Sequence, residues 1–289
     1  MLKSWKAART GAAWLAVGAV WLIAGSRAES GGRPGAGNLH FTVYGDTRDG
    51  HAMHRKIVAD MTAQKPQFVL VTGDCVASGA DSDLWHIWDG ITENLRHQSY
   101  FYMARGNHDV GGAGYTQRVT APFTSGNRLY YSFDRERCHF AALDCYTAYN
   151  TGSAQYQWLE KDLAAHQNSR FRFVYFHEPP YSIGSHGSNF VLREALCPLF
   201  RKYHVSAVFN GHDHNYYHTT RDGIAYLVTG GGGAPLYPCN PKTKGAIEGD
   251  RWEKVNNYVV CDIVGPTMRV TAYRSDNTPI DSFTVQGKP

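Results

Sequence analysis

The chain has 289 residues, 43% hydrophobic and 19% charged, with a formal net charge of +4. These values suit a globular protein with a sizeable core and exclude a low-complexity chain. The excess charge lies in residues 1–28; without them 25 basic residues face 25 acidic ones, which leaves no broad basic surface for a nucleic-acid backbone.

Taken in chain order, the first segment reads as a targeting signal. Lys3, Lys6 and Arg9 precede an apolar run from Gly11 to Ala24, and Ser26 and Ala28 are small residues at the spacing a signal peptidase needs. The run is about 14 residues, short of the ~20 that span a bilayer. Export with cleavage near Ala28 is the favoured expectation, and a membrane anchor through an uncleaved segment the alternative. Residues 29–38, rich in Gly and Pro, form a linker, and residues 39–289 a single catalytic domain.

Strands are expected at 39–44 and 67–72, each ending in Gly-Asp, with helices at 51–64 and 83–96 following them. The run QFVLVT reads as a strand buried on both faces. A short strand at 100–104 runs into Gly106-Asn107-His108-Asp109. Antiparallel strands follow at 129–134 and 139–144, then a helix at 154–166, a strand at 171–176, a helix at 192–203 and a strand at 206–210. The tail reads as strands at 216–220, 224–229, 257–264, 267–274 and 280–285. Helices outside a pair of packed sheets are the expected arrangement. The six cysteines permit disulfides in an exported chain, and small buried thiols are an equally good reading. Cys138 and Cys145 cannot pair along one strand, since seven extended residues span over about 20 Å.

One feature recurs five times: a predicted strand ends and the next residues are of metal-ligating type. The five places are Asp46, Asp74, Asn107-His108, His177, and His212 with His214. Open α/β sheets build their sites just beyond the carboxyl ends of strands, so these residues can converge. Carboxylate, imidazole and amide oxygen suit Zn, Fe or Mn, and a carboxylate such as Asp74 can bridge two ions. Two ions about 3.5–4 Å apart can clamp a phosphate and acidify a water.

The ordered motifs YGDT (44–47), TGDC (72–75), RGNHD (105–109), FHEPPY (176–181) and NGHDH (210–214) resemble the calcineurin-like metallophosphoesterase superfamily, especially its purple-acid-phosphatase-like branch. The resemblance covers roughly residues 39–235. It implies an α/β fold, a four-layer α/β/β/α sandwich of two mixed sheets flanked by helices. It also implies two divalent or trivalent ions (Fe, Zn or Mn): Asp46, Asp74 and His214 on the first, and Asp74, Asn107, His177 and His212 on the second. His108 would sit beside the phosphate as the catalytic group, with Asp109 orienting its ring.

Two departures mark the first metal. The family's usual histidine two residues after the first aspartate is Arg48 here, and the tyrosine of purple acid phosphatases is Ala77. His54, one turn into the following helix, is the favoured substitute ligand, with a solvent-facing histidine as the other reading. No tyrosinate-to-iron colour is expected. Arg48 reads equally as a phosphate ligand or as a salt-bridge partner of Asp49 or another carboxylate, and Arg105 more as structure. His186, in a Gly/Ser-rich loop, is a candidate acid near the substrate. The glycines at 230–233 read as backbone packing near the site, and Trp85 and Trp88, three apart on a helix, as core.

The resulting expectation is hydrolysis of small phosphate esters, monoesters favoured, at a dinuclear site. A phosphodiesterase or nuclease of the same fold, and a decayed phosphate-binding protein, are the alternatives.

Overall fold

The computed structural model describes residues 38–288; the expected leader, and the expected linker up to residue 37, lie outside the described residues. The elements run β1 (Leu39–Tyr44), α1 (His51–Gln64), β2 (Phe68–Val71), α2 (Ser82–Arg96), β3 (Tyr100–Met103), α3 (Gly114–Arg118), β4 (Ser125–Gly126), β5 (Tyr131–Arg135), β6 (Cys138–Ala142) and α4 (Ala154–Ala165). They continue with β7 (Phe171–Tyr175), α5 (Phe190–Lys202), β8 (Ala207–Asn210), β9 (Tyr216–Arg221), β10 (Ile224–Thr229), α6 (Pro241–Lys244), β11 (Arg251–Glu253), β12 (Asn257–Val264), β13 (Thr267–Arg274) and β14 (Pro279–Gln286). The strands and helices expected from periodicity are present with ends shifted by a residue or two. α3, β4, α6 and β11 were not expected; each is too short to carry a periodic signal.

The strands form two mixed sheets. One has the order β14-β13-β12-β1-β2-β3 and the other β11-β9-β10-β8-β7-β6-β5-β4. β1, β2 and β3 are parallel, as are β6, β7, β8 and β10, so their carboxyl ends open toward the loops that carry the ligand-type residues. Alternation along each strand sends successive side chains to opposite faces. Phe41, Phe68, Phe140 and Phe173 point between the sheets, with Phe68 and Phe140 ring centroids 5.3 Å apart and Phe140 and Phe173 4.9 Å apart. The intervening positions face helices. Tyr44 meets His54 of α1, Phe101 meets Trp88 of α2, and Ala141 and Val174 pack with Leu159, Leu163 and Leu196 of α4 and α5. This is the four-layer α/β/β/α sandwich.

Trp85 and Trp88 are fully buried and pack edge to face. Asp81 caps α2 by accepting from the Asp83 and Leu84 amides, and Asn189 caps α5 through the Leu192 amide. All six cysteines are unpaired thiols, four of them buried. Among the described residues no helix is long and apolar enough to cross a membrane.

Candidate metal centre

Three of the turns leaving the strands share one backbone device. Gly45-Asp46, Gly73-Asp74 and Gly211-His212 each place the second residue in the left-handed region, with φ of 59° at Asp46, 53° at Asp74 and 70° at His212. Non-glycine residues rarely hold that conformation, and it concentrates where a site over-determines the backbone. The turns are held by one another: Asp46 N donates to Gly73 O, Thr47 N to Asp74 O, and His212 N to the Asp46 carboxylate at 3.0 Å. Close approach also demands glycine. A Cβ on Gly211 would lie 2.3 Å from Asp46 Oδ2, and one on Gly106 would lie 2.2 Å from Asp74 Oδ1.

Asp46, Asp74 and His177, all buried, bring their ligand atoms within 4.8 Å of one another. The tautomers can be assigned from the outer hydrogen bonds. His177 Nδ1 donates to Thr72 O at 2.9 Å, so Nε2 offers a lone pair. That lone pair faces Asn107 Oδ1 at 3.2 Å, His212 Nδ1 at 3.2 Å and Asp74 Oδ1 at 3.5 Å. His214 Nδ1 donates to Pro235 O at 2.6 Å, and its Nε2 faces Asp46 Oδ1 at 3.4 Å. A proton on His212 satisfies one of these pairs; the other acceptors still face acceptors. Such a group of buried lone pairs fits divalent cations, and the outer bonds to Thr72 and Pro235 are the kind that orient metal-bound imidazoles. Burial and the neighbouring imidazoles of His177, His186 and His214 push His212 down to about 2, which keeps it in the neutral form a ligand needs. Burial raises the Asp46 carboxyl above its ordinary range, while His177 and His214 pull it the other way.

His108 stands beside this group without joining it. Its backbone N–H donates to Asp74 Oδ1 at 2.9 Å, and its Nε2 is 4.0 Å from Asp74 Oδ2. The expectation that Asp109 orients the His108 ring is corrected. The Ala77 carbonyl, 2.9 Å from His108 Nδ1, holds that ring. Asp109 is buried and accepts from the Gly106 and Cys75 amides at 2.9 Å and the Val76 amide at 3.3 Å. It ties the Asp74 turn to the Asn107 turn.

His54 is not among the converging residues. Its Nε2 lies 3.3 Å from the Tyr44 hydroxyl, and burial pushes it down to about 3. It packs α1 onto β1 as an uncharged core imidazole, so both readings offered by its position in the sequence are replaced. Arg48 makes the carboxylate contacts that one of its two readings expected. Its Nη1 meets Asp49 Oδ2 at 2.8 Å, and its Nε lies 3.4 Å from Asp74 Oδ2. Arg105 makes two bonds to the buried Asp144 carboxylate, at 2.6 and 3.2 Å. His186 is exposed at the mouth, its ring 4.2 Å from that of His212. The glycine run is packing: Gly232 N donates to Gly45 O and Ala234 N to Asp46 O, both at 2.9 Å.

Three supporting residues escaped the sequence reading. Asp144 lies two residues past β6 and receives Arg105. Tyr237 stacks on His214 at 4.0 Å and meets Arg48 Nη2 at 3.3 Å. Asp213 accepts from the His186 and Gly187 amides at 2.9 and 3.1 Å and so fixes the loop at the mouth. Asp144 and Asp213, the latter within the NGHDH motif, obey the same strand-end rule as the ligands and were readable on that basis; Tyr237 acts across a loop and carries no local signal.

Comparison with known proteins bears on the family and the fold. The family model for calcineurin-like phosphoesterases matches residues 39–216. Purple acid phosphatase 15 of Arabidopsis thaliana is 32% identical over 173 residues, covering 52% of this chain and 32% of that protein. A purple acid phosphatase of Glycine max is 29% identical over 202 residues, covering 61% of this chain and 41% of that protein. The chain thus spans about a third to two fifths of the length of these relatives. Among solved structures, purple acid phosphatase PPD1 from yellow lupin superposes with a TM-score of 0.76 at 20% identity, covering 86% of this chain and 54% of that one. A dimetal phosphatase from Danio rerio gives 0.63 at 14% identity, covering 86% of this chain and 99% of that one. These structural likenesses establish the fold, and the match over 39–216 takes in more than half of the 289 residues: the chain belongs to the calcineurin-like phosphoesterase family.

Proposed function

We propose that this protein hydrolyses small phosphate esters, monoesters in preference, at a centre of two metal ions. The observation that carries the reading is the set of lone pairs that Asp46, Asp74, Asn107, His177, His212 and His214 turn toward one another. Asp46 and His214 would hold the first ion, Asn107, His177 and His212 the second, and Asp74 both. Ions there supply charge neutralisation for a bound phosphate and a lowered pKa for water. The remaining work falls to side chains. Arg48 offers donors to phosphate oxygens from beside Asp74. His108, with its Nδ1–H committed to the Ala77 carbonyl, would protonate a leaving alkoxide from Nε2 in its doubly protonated form and be left as the neutral ring. His186 covers the mouth. The neutral charge beyond residue 28 supports small esters over nucleic acid, and the leader supports action outside the cytosol.

Arg48 also favours a second reading. Its guanidinium near Asp74 Oδ2 can replace the first ion's charge, leaving a phosphate-binding protein with one ion. A chromogenic aryl phosphate separates the two. Hydrolysis that stops on chelation and returns with added metal is expected, and its absence in metal-loaded protein would favour the binding protein. With His108→Gln, kcat should fall about 10²-fold while the number of bound ions stays unchanged. An unchanged kcat would remove His108 from the chemistry.

A further inference from the structure

We propose that Asp134, His139 and His166 form a second, peripheral binding site for a zinc-class divalent transition ion, outside the phosphoesterase centre. His139 lies near the start of β6, at the end of that strand remote from Asp144, and Asp134 lies on the adjoining β5. The register pairs the two residues across the hairpin. His139 has the same strand parity as Ala141, so it faces α4, whose Asp162 it meets; His166 follows at the end of that helix.

The ligand atoms of Asp134, His139 and His166 all lie within 4.8 Å of one another. Each imidazole has its far nitrogen committed. His139 Nε2 meets Asp162 Oδ2 at 2.8 Å, and Asp162 is fixed in turn by the Ser132 hydroxyl at 2.8 Å. His166 Nδ1 donates to the Asp162 backbone carbonyl at 2.7 Å. The near nitrogens, His139 Nδ1 and His166 Nε2, therefore both face the Asp134 carboxylate, at 2.9 and 3.5 Å. A proton on His139 answers the first contact. The second is long and weak for a hydrogen bond, and with His166 neutral it sets a lone pair beside a carboxylate oxygen. Ligand atoms around a tetrahedral zinc stand about 3.3–3.6 Å apart, so modest opening of the first contact admits an ion.

The outer shell is built as metal sites are built: a buried carboxylate behind one imidazole and a backbone carbonyl behind the other. Asp134 is 42% exposed and His166 27%, which gives an entry path and room for water on the ion. The two rings are nearly parallel with centroids 3.8 Å apart, an arrangement suited to a proton. Metal binding thus requires His166, partly exposed at the helix end, to tilt its Nε2 toward the ion and His139 to release its proton.

The test counts zinc bound per chain after equilibrium dialysis of the full protein against micromolar Zn²⁺ at neutral pH. Wild type should bind one ion more than Asp134→Asn and one more than His166→Ala, with aryl phosphatase activity and circular dichroism of both variants unchanged. Because the readout is a difference, it is independent of how many ions the central site holds. Equal counts in wild type and folded variants would overturn the site. Should His166→Ala not fold, His166→Gln, which preserves polarity at the helix end, gives the same comparison.

Discussion

Replacing Asp74 with asparagine is expected to lower kcat for an aryl phosphate on the order of 10³-fold, with the fold intact by circular dichroism. The substitution keeps the shape of the side chain and removes its charge. The Asp74 carboxylate is engaged on both sides: His177 Nε2 lies 3.5 Å from one oxygen and Arg48 Nε 3.4 Å from the other. In the proposed two-ion centre a neutral amide there would weaken the hold on both ions, and each such ion would supply several kcal/mol of charge stabilisation in phosphoryl transfer. Steady-state kinetics with a matched metal analysis checks it. Wild-type turnover in the asparagine variant would contradict the bridging role.

The second large effect comes from a residue that bears no functional group. A methyl on Gly106 would sit 2.2 Å from both the Asp74 backbone nitrogen and Asp74 Oδ1. Neither can retreat freely. The Asp74 turn carries the bonds to Thr47 and His108, and Gly106 N is itself bound to Asp109. Gly106→Ala should therefore displace the Asp74 carboxylate or the Asn107 turn. Overpacking of this kind costs about 1–3 kcal/mol of stability. A displacement near 1 Å at a reacting centre lowers turnover about 10²-fold. Thermal denaturation and kcat measured on the same preparation test it; a variant with normal stability and activity would show that the turns are looser than described.

Much of the site was legible because its residues follow a local rule. Each ligand-type residue stands just past a strand whose apolar run is easy to read, and the glycine before Asp46, Asp74 and His212 marks a tight turn. What the pattern could not give is which polar neighbour points inward. Asp109 follows His108 in sequence, yet its carboxylate turns to the backbone amides of Gly106, Cys75 and Val76, where burial of unpaired N–H groups would otherwise be costly. His54 was misread despite a usable signal. With Ile57, Val58 and Met61 it completes an i, i+3, i+4, i+7 face, and that face is the buried one. The layered sandwich was readable from strands alternating with helices. The short elements α3, β4, α6 and β11 were not, since at two to five residues each is too short to carry a periodic signal.

The most direct measurement is the number of metal ions held by the His166→Ala protein, in which the proposed peripheral site is removed. Two ions per chain, both lost when Asp74→Asn is added, is the predicted result. One ion or none in a folded, metal-loaded preparation would contradict a two-ion centre built from Asp46, Asp74, Asn107, His177, His212 and His214.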